Sequence, residues 1–140
     1  MSTCLDILNN PHLLLRFFVG AFFSMLVCVA IDVSSSSSPE RALELARGVR
    51  GRVLLVGVVG KESEAEHAKE LLSKLCKEKE ECVVLVGDSP GKMLVSFVET
   101  FAPHILVVSA SSKGPIETIF FGSCASFVLK NAKCNVLLAR

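Results

Sequence analysis

The chain lacks an excess of either charge: fifteen Lys and Arg face fourteen Asp and Glu, a net charge of +1 over 140 residues. A phosphate-binding surface usually needs a marked basic excess, so nucleic acid is excluded as the main partner. Cysteine is present without pattern. Cys4, Cys28, Cys76, Cys82, Cys124 and Cys134 form no CxxC pair and no Cys/His cluster, and His12, His67 and His104 are scattered. That spacing argues against a zinc site and against a disulfide-stapled secreted scaffold; small thiols in a reducing, cytoplasmic compartment remain. No histidine stands near a plausible serine nucleophile either, so the pattern favours a binder over an enzyme. Charge is also missing from the start of the chain, where Asp6 and Arg16 are the only two charged residues before Asp32. What is present suffices for one domain: the length is typical, and 51% apolar against 21% charged residues excludes wholesale disorder.

Residues 12–31, HLLLRFFVGAFFSMLVCVAI, admit two readings. Phe17 to Ile31 carry no charge, short of the ~20 residues of a membrane span. The segment is either an anchor or an apolar leader followed by a buried strand, Met25–Ile31. Buried parallel strands do read as continuous apolar runs, and on that reading 1–24 is a leader and 25–140 the domain.

From residue 25 the pattern alternates. After the serine run 34–38, Ser38 and Pro39 open a helix that Gly48 and Gly51 end, and a strand follows over Val53–Val59. Lys61–Lys79 repeats Ala65, Ala68, Leu72 and Leu75 at helical spacing, with acids first and lysines last. Its charges read as a solvated face. Cys82–Val86 is the third strand, Ser89-Pro90 opens the next helix, and His104–Val108 is the fourth strand. Ser123 caps a last helix before strand Cys134–Ala139. The order predicts a five-stranded parallel α/β sheet with helices on both faces, flavodoxin- or Rossmann-like, with Met25–Ile31 central. Ligands of such sheets sit beyond the carboxyl ends of strands, which directs attention to Asp32 and to 109–123.

Three stretches of 25–140 resemble the universal stress protein family, in flavour the short plant members. They are the apolar strand ending in Asp32 with its serine loop, Val83–Ala110 (VVLVGDSPGKMLVSFVETFAPHILVVSA), and the tail GPIETIFFGSCASFVLKNAKCNVLLAR. Nucleotide-binding members of that family carry a Gly-x2-Gly-x9-Gly-[Ser/Thr] loop, whose glycines let backbone N–H groups approach phosphate. Here the spacing is kept, but Ser109 and Ser112 replace the first two glycines before Gly122-Ser123. The resemblance therefore implies a degenerate site in which ATP or AMP binds weakly or not at all. By the same resemblance Asp32 matches the acid that recognises adenosine, and Val58 the position whose backbone meets adenine. Gly122, Ser123 and Cys124 match the phosphate end. Asp32 as a loop cap, Val58 as core and Gly122-Ser123 as a turn are the structural alternatives.

The expectation is a stress-response binding or adaptor module, a homodimer paired through Cys134–Ala139 at the sheet edge, with a further protein partner open. Val136 and Leu138 fall on one face of that strand and Leu137 on the other. An ATP-binding, slowly hydrolysing member of the family and a domain tethered to a membrane by 12–31 are the rivals.

Overall fold

The computed structural model describes residues 25–33, 39–109 and 123–139. Five strands and four helices alternate along them. β1 is Leu26–Ile31, α1 Glu40–Gly48, β2 Arg52–Val59, α2 Ala65–Leu75, β3 Glu81–Val86, α3 Pro90–Phe101, β4 Ile105–Ser109, α4 Ser123–Asn131 and β5 Asn135–Ala139. The strands form one parallel sheet in the order β3-β2-β1-β4-β5. The expected architecture is present, and β1 lies at its centre between β2 and β4. With 26–31 in the sheet, 12–31 is not one uninterrupted helix; the anchor's remaining residues lie outside those described, as does Ser38.

Alternation along each strand sorts the core into two layers. Leu26 and Cys28 of β1 join Leu54, Val83 and Leu106 under α3 and α4, whose Leu94, Phe97, Phe101 and Val128 close that side. Val27, Val29 and Ile31 join Leu55, Cys82 and Val107 under Ala42, Leu43 and Ala46 of α1 and Ala68 and Leu72 of α2. A central strand buried on both faces needs apolar residues at every position, so β1 shows no polar alternation. The α3 and α4 helices approach closely at Gly91, where a Cβ would stand 3.0 Å from the Cβ of Phe127.

Element ends differ from the sequence expectation in places, each with a local cause. The α2 helix is shorter than 61–79: Glu62–Glu64 form a 3-10 turn, and the helix stops at Leu75. Its C-terminal end is taken over by a tertiary clamp. The Arg47 guanidinium donates to the Leu75 carbonyl (2.8 Å) and to both carboxylate oxygens of Glu80 (2.9 and 2.8 Å). Glu80 in turn accepts the Lys77 N–H at 2.8 Å. The α1 helix starts at Glu40 with Pro39 as its cap residue, its carbonyl accepting from the Leu43 N–H. Ser89 occupies the cap position of α3 without a side-chain bond, and Ser123 is the first helical residue of α4 rather than its cap.

The clamp has a pH signature. Burial alone would raise the Glu80 carboxyl, but the hydrogen bonds from Arg47 and Lys77, with their charges, hold it below its ordinary value. A carboxylate depressed in the folded state stabilises fully above about pH 5 and loses that contribution as it takes up its proton at lower pH. Arg47→Ala is expected to lower stability by about 1 kcal/mol at neutral pH, a value held down by the pair's partial exposure. Urea unfolding at pH 7 and at pH 3 checks it, since the difference between the two proteins must shrink in acid.

His104 starts no strand, contrary to expectation; it precedes β4 and holds β1. Its backbone N–H donates to the Leu26 carbonyl at 2.9 Å, and its Nδ1 accepts the Leu26 N–H at 3.0 Å. That acceptance leaves the ring proton on Nε2. On the other flank, the Arg52 N–H donates to the Met25 carbonyl at 2.8 Å. Any Cβ on Gly51 would run into that same carbonyl, so glycine is required by close approach rather than by its role in ending α1.

Candidate functional site at the carboxyl end of the sheet

The strand order reverses direction of growth between β1 and β4, because β2 and β3 lie on one side of β1 and β4 and β5 on the other. In a parallel sheet this opens a crevice at the carboxyl ends of those two strands. Asp32 follows β1 and is exposed there. Ser109, also exposed, ends β4; the register Val29–Val107 brings it level with Ile31. Two of the residues singled out from sequence therefore flank the same crevice.

A third, Cys124, reaches it from α4. Burial raises its thiol above the ordinary value, and the negative charge of Asp32 raises it further. That influence places the first turn of α4 within electrostatic range of the end of β1. Cys124 also packs with Ala30, Val58 and Met93 as half-buried members of the α3/α4 layer.

Val58 contributes through its backbone. Val59 accepts the Gly87 N–H at 2.9 Å, on the β3 side. Successive residues of a strand face opposite neighbours, so the Val58 carbonyl points toward β1. There it lies one residue past the last β1–β2 pair, Ile31–Gly57. Its side chain packs as core, and its carbonyl faces the crevice.

Ser112 and Gly122 lie outside the described residues, and Ser123 is described only as the first residue of α4. Ala30 and Met93 escaped sequence reading, since each looks like an ordinary core position. The signal for Met93 was Gly87: a Cβ there would collide with the Met93 side chain, which therefore lies across the end of β3. Among the described residues no group of three His, Cys, Asp or Glu could hold a metal ion, and no helix is long and apolar enough to cross a membrane. Cys28 and Cys82 are buried, and no disulfide links the described cysteines. Burial pushes the Cys28 thiol far up, with Cys134 adding to it.

A second concavity lies at the opposite, amino end of the sheet. This cleft of about 710 Å³ runs between the last turns of α3 and α4 and the starts of β4 and β5. It is about 20 Å from Asp32, the length of a six-residue strand.

Comparison with known proteins bears on the fold and the family. The model of the universal stress protein family matches residues 25–140. A universal stress protein of Methanocaldococcus jannaschii is 32% identical over 80 residues, covering 54% of this chain and 47% of the relative, so under half of that relative's length is matched. The structure of the universal stress protein from Archaeoglobus fulgidus in complex with dAMP superposes with a TM-score of 0.59 at 28% identity, over 83% of this chain and 98% of that one. A universal stress protein family protein of Arabidopsis thaliana with AMP bound shares the fold at 20% identity and a TM-score of 0.58, over 82% and 90% of the two chains. On the family match across residues 25–140, the chain belongs to the universal stress protein family.

Proposed function

We propose that the chain is a stress-response binding or adaptor module with a weakened adenine-nucleotide site, acting by binding rather than turnover in the cytoplasm. In this reading Asp32 accepts hydrogen bonds from the adenosine ribose or base. The Val58 backbone meets the adenine edge, and Ala30, Met93 and Cys124 give the ring an apolar ledge. Ser109, Ser112, Gly122 and Ser123 surround the phosphate, with N–H groups at the start of α4 favouring its charge. The meeting of Asp32, Ser109 and Cys124 at the β1/β4 crevice carries the reading, and the dAMP complex of the Archaeoglobus fulgidus relative supports the ligand class.

Ligand binding would act on the pairing of two copies through β5. Among the described residues that strand is the sheet's edge, with no further strand paired along its outer side. Leu137 stands 38% exposed on it, while Val136 and Leu138 pack inward against the α3/α4 layer. Leu137 is therefore the side chain an isologous partner would cover.

Isothermal titration of the full chain with AMP, ATP and GMP tests the nucleotide site. AMP is expected to bind with a Kd of about 0.1–1 mM, and Asp32→Ala to weaken it about fivefold, close to 1 kcal/mol. Equal binding of AMP and GMP, or an Asp32→Ala protein with unchanged affinity, would remove the adenosine role.

A further inference from the structure

The cleft at the amino end of the sheet lies away from the proposed nucleotide crevice and has its own chemistry. Glu99, His104, Lys133 and Asn135 line it and are exposed, while Val98 and Pro103 along it are buried. Glu99 and Lys133 bring opposite charges to one cleft. Among the described residues neither forms an ion pair or a side-chain hydrogen bond, with the other or with any third group. We propose that the cleft binds a zwitterion of dipeptide size, whose ammonium group meets Glu99 and whose carboxylate meets Lys133 and His104.

The negative side comes from α3. That helix ends at Phe101, with Ala102 as a left-handed cap (φ 47°) whose N–H donates to the Val98 carbonyl at 2.8 Å. Carbonyl groups at a helix end carry partial negative charge, which a Lys or Arg in the last turn offsets. The last turn of α3 holds no base and carries Glu99 instead, so acid and dipole add. An acid there costs stability unless a cation stands against it, and no described residue supplies one.

The α4 helix gives the opposite sign. It ends at Asn131, one residue before Ala132 of the cleft lining, and its last turn carries Lys130. Carbonyls near its end are already taken: the Asn131 side chain donates to Phe127 and the Ala132 N–H to Val128, each at 2.8 Å. Lys133 follows directly. The cleft is therefore polarised from the end of α3 to the end of α4.

His104 adds a fixed donor. Its Nδ1 accepts the Leu26 N–H and its backbone N–H donates to the Leu26 carbonyl, so the ring is held to β1 with its proton on Nε2. Among the described residues Nε2 has no partner. The register Ile105–Asn135, carried back one residue, sets His104 level with Cys134, next in sequence to Lys133. A carboxylate here meets one oriented N–H together with an ammonium charge. The volume of about 710 Å³ falls in the range of small-molecule pockets and has room for more than a single amino acid.

Alanyl-alanine, its N-acetyl form and its C-terminal amide differ in which charges they carry, and titrating each into the full chain tests the site. Amide NMR shifts report where they bind. Alanyl-alanine is expected to shift His104 and Asn135 and to bind about tenfold tighter than either capped form. Glu99→Gln should weaken alanyl-alanine about fivefold and leave the N-acetyl form unchanged. Lys133→Met should weaken it similarly and leave the amide unchanged. Both positions are exposed, so the fold is kept, which circular dichroism checks. Equal affinity for all three peptides would overturn the proposal. So would shifts confined to Asp32 and Ser109, which assign the peptide to the other end of the sheet. Inorganic phosphate binding as tightly as alanyl-alanine would leave only a plain anion site, and absence of saturation at about 10 mM would remove the ligand class.

Discussion

Phe101→Ala lowers the unfolding free energy of the domain by about 4 kcal/mol, the upper part of the range for a buried ring. Phe101 is 1% exposed and stacks on Phe97 one helical turn earlier, with ring centroids 4.2 Å apart and planes inclined by 16°. Both rings press α3 onto Leu26, Leu54 and Leu106, so the truncation removes contacts to the sheet as well as to the neighbouring ring. Collapse around the void is limited, because Ala102 and Pro103 follow immediately and Pro103 precedes the His104 link to β1. The melting temperature should fall by about 10–20 °C for a domain of this size. Thermal unfolding followed by circular dichroism measures it; a loss below about 1.5 kcal/mol would mean that the ring is not tightly enclosed.

The second large effect is a gain. Ser109→Gly with Ser112→Gly should tighten AMP and ATP about tenfold, which is about 1.4 kcal/mol. At Ser109 the reason is space rather than backbone strain. The residue is extended and ends β4, and the left-handed residues among those described are Lys79 and Ala102. In the proposed site, removing its hydroxymethyl group lets a phosphate approach the backbone N–H groups directly. Adding Asp32→Ala to the double variant should keep the gain in phosphate affinity but erase the preference for adenosine. Titration of the three proteins with AMP, ATP and GMP separates these outcomes. Unchanged affinity in the double variant would show that the side chains at 109 and 112 are not what limits binding.

Much of the scaffold was legible because local and global preferences agree. Five short apolar runs separated by helical stripes admit few arrangements other than a parallel sheet with covered faces. The two-sided burial of Leu26–Ile31 follows directly from its unbroken apolar run. The α2 end was not legible, since its helical spacing continues to Lys79. Arg47, twenty-eight residues before Leu75 in sequence, takes that carbonyl and Glu80 and ends the helix first. The link of His104 to Leu26 was equally hidden, because the bond spans seventy-eight residues and a lone histidine beside proline has no local signature.

The site divides along the same line. Sequence by itself determined which residues stand at strand ends, Asp32 after β1 and Ser109 closing β4, together with the retained spacing to Gly122 and Ser123. The sequence reading also set Met25–Ile31 between the strands at 53–59 and 104–108, and the observed pairing of β1 with β2 and β4 agrees. Strand order is a property of how the layers pack, and it put β4 rather than β3 beside β1. It likewise turned the Val58 carbonyl toward the crevice and brought Cys124 within range of the Asp32 charge. The same packing decided that Val136 and Leu138 serve the core, leaving Leu137 to the exposed edge. Alternation along a strand names two faces, but only the helices that cover the sheet determine how much of each face meets water.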